Sequence, residues 1–195
     1  MKHIYLYLLL CLFSTASLAD LAKTNYSPAN KQDTYILELN KSSEELVVKQ
    51  GSDVIRRYRA ATGRGGEGSK RQVGDKKTPV GVYRIIDFKR NSRFHYFMQL
   101  DYPNLLDAWY GYKHEIIDAG EFRAITTALK NDEKPPQNTA LGGFIGIHGI
   151  GETSDNKLMI HEVQNWTAGC IALKNEEIND LRQFVSIGTK VVIKE

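Results

Sequence analysis

The chain has 195 residues, with 26 Lys and Arg against 23 Asp and Glu and a formal net charge of +3. A balance this close gives no support to a nucleic-acid partner, and the length suits one domain with a full hydrophobic core. Two cysteines, Cys11 and Cys170, are too few for a disulfide framework.

Residues 1–19 have the three parts of an export signal. Lys2 supplies positive charge, Ile4 to Phe13 an apolar core, and Ser17-Leu18-Ala19 the small residues that place cleavage after Ala19. The apolar core is about half of what a membrane helix needs, and no later segment is longer, so the mature chain should lack a transmembrane segment. An uncleaved N-terminal anchor is the competing reading. A lipoprotein site reads poorly, because Leu10 before Cys11 is bulky. Removal of the leader leaves Cys170 as the one thiol, and 25 basic residues then face 23 acidic ones. A lone thiol in an exported protein cannot form an internal disulfide, and an oxidising compartment would cap a casual one.

Residues 20–33 are polar and read as a flexible lead-in to a single domain over 34–195. Short strands follow at Tyr35–Leu39, Leu46–Lys49 and Val54–Ala61. Arg56, Arg57, Arg59, Arg64, Lys70, Arg71, Lys76 and Lys77 cluster here, either as a solvated face or as a guide toward an anionic polymer. The glycine-rich stretch 63–74 precedes no helical pattern, which argues against a phosphate cradle. Further strands are expected at Val80–Phe88 and Phe97–Leu100, then helices at Leu105–Tyr112 and Glu121–Lys130. Asn131 to Gly143 is a long loop around Pro135-Pro136, of the kind that can serve as a lid. Gly143–Ile147 reads as a buried strand delivering His148. Residues 149–166 read as irregular and Cys170–Leu173 as a strand. Asn175 is suited to cap a helix over Glu176–Val185, and Lys190–Lys194 closes the chain. The expected fold class is mainly β, a β-rich α+β domain of packed mixed sheets with about three short helices.

The chemistry centres on Cys170 and His148. A thiol at its ordinary pKa is only a few per cent ionised at neutral pH, and an imidazole that takes the proton turns it into a useful nucleophile. His148 ends an apolar run and is followed by Gly149, so its ring should stand at a strand end beside open backbone. Two neighbouring strands would bring it to Cys170 across the intervening loop. Gly169 lacks a Cβ and would let a carbonyl approach, with the Gly169 and Cys170 N–H groups as oxyanion donors. Thr167 could bond the loop or a substrate, and Trp166 reads as a packing indole. Other readings stay open: Cys170 as a buried structural thiol, His161 as the base, or zinc held by His148, His161 and Cys170, a spacing that fits no common ligand pattern. No metal or organic cofactor is indicated.

The segment Ile147-His148-Gly149, followed by Thr167-Ala168-Gly169-Cys170-Ile171, resembles the signature of the L,D-transpeptidase (YkuD-type) catalytic domains. Thr78-Pro79-Val80-Gly81-Val82-Tyr83 is similar to that family's upstream strand. Tyr102-Pro103-Asn104 and the run from Asn165 to Leu173 resemble a proteobacterial branch of it. The likeness covers roughly residues 34–194. It implies a Cys170 nucleophile, a His148 base and a periplasmic peptidoglycan substrate. Ala168 and Ala172 depart from the family's usual His and Arg, and the spacer before Thr167 is slightly long.

On this resemblance Cys170 would attack the carbonyl between a diamino acid and a terminal D-alanine in a stem peptide, and an amine would resolve the thioester. That amine would belong to another stem peptide or to an outer-membrane lipoprotein. His161, Arg123 and Arg64 are the candidates to bind the diamino acid's second carboxylate. Water as the resolving group would make the protein an L,D-carboxypeptidase, or an amidase releasing lipoprotein. A non-catalytic wall-binding module is the reading from another class. A sortase would need a wider His–Cys separation, and papain-like enzymes run Cys before His.

Overall fold

A computed structural model describes residues 35–195. The export signal and the lead-in expected before residue 34 lie outside the described residues. Eight strands and four helices follow in the order β1 (Tyr35–Asn40), β2 (Glu45–Gln50), β3 (Asp53–Arg59), β4 (Gly81–Ser92), β5 (His95–Leu100), α1 (Leu105–Lys113), α2 (Ala119–Lys130), β6 (Gly146–His148), α3 (Asp155–Val163), β7 (Ile171–Ala172), α4 (Asn175–Leu181) and β8 (Lys190–Lys194). Hydrogen bonding orders the strands β3-β2-β1-β8-β4-β5-β6-β7. The sheet is mixed: β1 runs parallel to β8 and β6 parallel to β7, and the other neighbours are antiparallel. This is the β-rich α+β class expected from the sequence.

Alternation explains which faces are buried. Leu37 and Leu39 of β1, Tyr83 and Ile85 of β4, and Val191 and Ile193 of β8 point into one core, joined by Ile178 and Leu181 of α4. A satellite core of Ala108, Ile117, Ile125 and Leu141 fixes α1 and α2. The sheet's two edges also meet. Beyond β3 the chain bends so that Ala61 exchanges both backbone bonds with Ala172 of β7, at 3.0 and 2.8 Å. Val54–Ala61 was therefore too long as a strand: Ala60 and Ala61 leave β3 to serve the opposite edge.

Further expectations need correction. Residues 149–166 are not wholly irregular, because α3 fills Asp155–Val163, with Ser154 capping it through Lys157 N–H at 3.3 Å. Its apolar periodicity is weak and Met159 and Val163 are exposed, which hid it. The fourth helix ends at Leu181, short of Val185. Asn175 is not its cap. Its side chain instead clamps Gly151, accepting from the N–H at 3.1 Å and donating to the carbonyl at 2.7 Å, while Glu177 takes the Lys174 N–H at 2.8 Å. The Asn131–Gly143 loop is tied down: Gln137 donates to Tyr102 O and accepts from Gln99 and from Phe144 N–H.

Four of the eight clustered basic residues are paired: Arg56 with Asp180, Arg57 with Glu45, Arg59 with Glu44 and Lys70 with Asp75. Of these four, only the Lys70–Asp75 pair is well buried. Burial pushes the Asp75 carboxyl up, but three backbone N–H groups and Lys70 outweigh that and hold it below its ordinary value.

Under the sheet, Tyr83 O–H donates to Asp107 Oδ2 at 2.9 Å, and Asn104 N–H reaches the same oxygen at 3.0 Å. Burial pushes Asp107 up to about 6, against these bonds. Asp107 therefore binds a proton on folding between pH 3.8 and about 6, and the stability this confers is lost as pH rises through that window. D107N keeps an oxygen for both donors. We expect it to gain on the wild type by on the order of 2 kcal/mol between pH 4 and pH 7, measured by urea unfolding.

Candidate active site

The parallel pairing of β6 with β7 puts Ile147 opposite Ile171 and His148 opposite Ala172. In a parallel pair, partners share a face and residues two apart share it too. Ile147, Ile171 and Leu173 thus enter the core, while His148, Ala172 and the preceding Cys170 belong to the other face. There His148 and Cys170 line one cleft of about 560 Å³, together with Phe94, Phe97, Phe144 and Trp166. Three cations, Arg64, Lys89 and Arg93, border it, and among the described residues no carboxylate does.

His148 is 2% exposed. Its ring stacks on Phe94 at 4.3 Å and on Phe97 at 6.1 Å, and Trp166 meets it edge-on at 6.0 Å. Nδ1 lies 2.7 Å from the Gly149 carbonyl, which can only accept. Nδ1 therefore carries the proton, and Nε2 is left as the free base. Burial pulls His148 down to about 4; the Gly149 bond works against this and the Arg93 charge adds to it. A Cβ at position 149 would fall 2.5 Å from Asn175 Oδ1 and 2.9 Å from Phe94 O, so the glycine permits both to close on the base.

Cys170 is half-buried, and its thiol donates to Phe144 O at 3.4 Å. Burial pushes the thiol up to about 11, against a Gly146 backbone bond and the Lys70 charge. Burial disfavours charge on both partners, so thiol and neutral imidazole are the favoured resting forms.

Thr167 closes the turn that carries Cys170. Its Oγ1 donates to Cys170 O at 2.7 Å and accepts the Gly169 N–H at 3.1 Å. That bond corrects one expectation: the Gly169 N–H is already used and is not free for an oxyanion. Among the described residues the Cys170 N–H meets no acceptor and is the donor that remains. Nor does Gly169 make room for a substrate. It sits at φ 131°, and a Cβ there would lie 2.8 Å from Lys77 O, so the glycine lets the 63–78 loop pack on the turn.

The three proposed carboxylate binders part company. Arg64 lines the cleft. Arg123 lies exposed on α2 with its Nε donating to Ala119 O at 3.3 Å, and it does not line the cleft. His161 is fully buried on α3, where Nδ1 accepts the Trp166 indole N–H at 3.3 Å and Arg59 donates to its carbonyl. It too lies outside the cleft lining. Among the described residues no three His, Cys, Asp or Glu side chains are grouped to hold a metal. Lys89, Arg93 and Phe94 had no signal as site residues in the sequence. They reach the cleft because the β4–β5 hairpin turns at Arg93-Phe94, with Ser92 paired to His95.

A family model, the YkuD L,D-transpeptidase catalytic domain, matches residues 34–193. The chain belongs to that family. No curated protein sequence matches it. Among solved structures, the helical cell shape determining protein Pgp2 from Campylobacter jejuni is 24% identical, with a TM-score of 0.50 over 83% of this chain and 48% of that one. Bdellovibrio bacteriovorus Bd1075 is 20% identical, with a TM-score of 0.51 over the same shares. An L,D-transpeptidase from Xylanimonas cellulosilytica is more distant, at 14% identity and a TM-score of 0.47 over 83% of this chain and 60% of that one. The first two likenesses establish a common fold, and the chain spans about half the length of those structures.

The neutral pair sets an expectation for thiol reactivity. Alkylation of Cys170 by iodoacetamide should be slow at neutral pH and rise by about tenfold per pH unit, without a plateau, until pH approaches 11. A fast plateau reaching down to pH 5, the mark of a thiolate–imidazolium pair, would show that the resting state is charged.

Proposed function

We propose that this protein is a periplasmic, cysteine-dependent L,D-transpeptidase that acts on peptidoglycan stem peptides. The observation that carries this reading is the placement of His148 and Cys170 on one face of a cation-bordered cleft, in a chain of the L,D-transpeptidase catalytic-domain family. The cations suit a stem peptide, whose free carboxylates need partners. Arg64, Lys89 and Arg93 surround the cleft without any acid to neutralise them from within. Export by the N-terminal signal would bring the enzyme to that polymer. Among the described residues no helix is long and apolar enough to cross a membrane.

The chemistry follows from the resting protonation. The scissile carbonyl sits over Sγ, with its oxygen toward the Cys170 N–H. As Sγ forms its bond to carbon, the thiol proton passes to Nε2 of His148, so neither charge has to exist beforehand. The carbon–nitrogen bond to D-alanine breaks, and Nε2 returns the proton to the leaving amine. A thioester remains. An acceptor amine then loses a proton to Nε2, its nitrogen bonds to the carbonyl carbon, and sulfur departs to regain a proton. Throughout, the Nδ1–H bond to Gly149 O stabilises the transient imidazolium. The acceptor amine belongs to a second stem peptide, with a lipoprotein lysine as a further candidate.

Incubation with a muropeptide ending in diamino acid–D-alanine should add an acyl mass to the wild-type protein and release D-alanine. C170A should show neither, a loss of about a thousandfold or more, and H148Q should slow acylation by about 10²–10⁴. A full adduct on C170A, or D-alanine release at the wild-type rate by that variant, would end this reading.

A further inference from the structure

A second cavity of about 460 Å³ lies beside the cleft, lined by Arg93, Phe94, Ile150, Lys157, Ile160 and Trp166. Arg93, Phe94 and Trp166 line both spaces, so these side chains form the partition between them. His148 stacks against that partition, 4.3 Å from the Phe94 ring. The outer wall is this chain's own: Lys157 and Ile160 come from α3, the helix that occupies the spacer between His148 and Cys170. The chamber is mostly apolar, with two cations at its rim and, among the described residues, no carboxylate in its lining. Lys157 Nζ donates to Glu152 O at 2.7 Å, and the Arg93 guanidinium lies 4.6 Å from the centre of the Phe94 ring. Among the described residues neither cation is paired with a carboxylate.

Resting on the acyl-transfer reading, we infer that this chamber seats the acceptor: a peptide with a carboxylate and aliphatic groups near its reacting amine. One base must serve both halves of such a reaction. His148 takes the thiol proton from the cleft side, and it must later take the amine proton from a group that arrives while the cleft still holds the acyl chain. His148 and Cys170 line the cleft and not the chamber, so a second peptide seated in the chamber lies beside the acyl chain without displacing it and passes its amine round Phe94 and Trp166 into the cleft. Isoleucine walls accept the acceptor's aliphatic groups. Lys157 and Arg93 attract its carboxylate in a space with no competing acid.

The test separates acylation from transfer. A tetrapeptide donor ending in D-alanine is supplied with a tripeptide acceptor that ends at the diamino acid and so cannot act as donor. Thioester formation is followed by intact mass, and the cross-linked product by chromatography. For K157E and I160W, each checked for an unchanged melting temperature, the expected result is thioester formation within twofold of wild type and transfer reduced at least tenfold. K157E changes an exposed side chain, so it reports even where I160W misfolds. Unchanged transfer in K157E would overturn the inference, as would an equal fall in acylation, which would make the chamber part of the donor site. A wild-type protein that acylates but yields only hydrolysis, whatever the acceptor concentration, would also overturn it. A wild-type protein that forms no thioester would fail at the earlier step, and the acyl-transfer reading would fall with it.

Discussion

Two parallel residue pairs, Ile147 with Ile171 and His148 with Ala172, hold the site together. A ladder that short has little stability of its own, and its register would slip without support. Ala61 supplies it from the far edge of the sheet, bonding both backbone groups of Ala172, and Leu173 N–H reaches His148 O at 2.9 Å. Ile147, Ile171 and Leu173, all fully buried, then fix which face looks inward. A slip of one residue would send His148 into the core and an isoleucine into the cleft. The register that satisfies the core is the one that sets imidazole and thiol on a common wall.

Burial gives this pair its character. The aromatic enclosure of His148 and the sheltered sulfur both disfavour charge, so the site rests as thiol and neutral imidazole. A thiol sheltered in this way stays weakly nucleophilic until a carbonyl is positioned to accept it. The rim cations Arg64, Lys89 and Arg93 set positive charge around a centre whose own groups burial keeps uncharged. Thr167 joins rim and centre. Its backbone pairs with Thr62 and Arg64, a rim residue, while its hydroxyl bonds the Gly169 N–H and the Cys170 carbonyl.

The sequence made most strand positions along the chain and the candidacy of His148 and Cys170 readable because those depend on local pattern: alternation, an apolar run ending in His-Gly, and a Gly-Cys turn. Features fixed by distant partners were not readable. Asn175 looks like a helix cap by position, yet it is drawn away by Gly151, 24 residues earlier in the chain. His161 has the chemistry of a ligand-binding residue, but α3 turns it inward to hold Trp166. Gly169 invites an oxyanion reading until Thr167 is seen to occupy its N–H. The rim cations Lys89 and Arg93 depend on how far the β4–β5 hairpin extends, which is longer than strand propensity alone suggests because pairing with β5 carries β4 on to Ser92.

The account stands on His148 being a neutral imidazole with its proton on Nδ1, which leaves Nε2 as the basic nitrogen. Long-range ¹H–¹⁵N correlation of the His148 ring, followed from pH 5 to 9, reads this directly. A protonated Nδ1 and a bare Nε2 throughout that range are the expected result. An imidazolium at neutral pH, or a proton residing on Nε2, would contradict it.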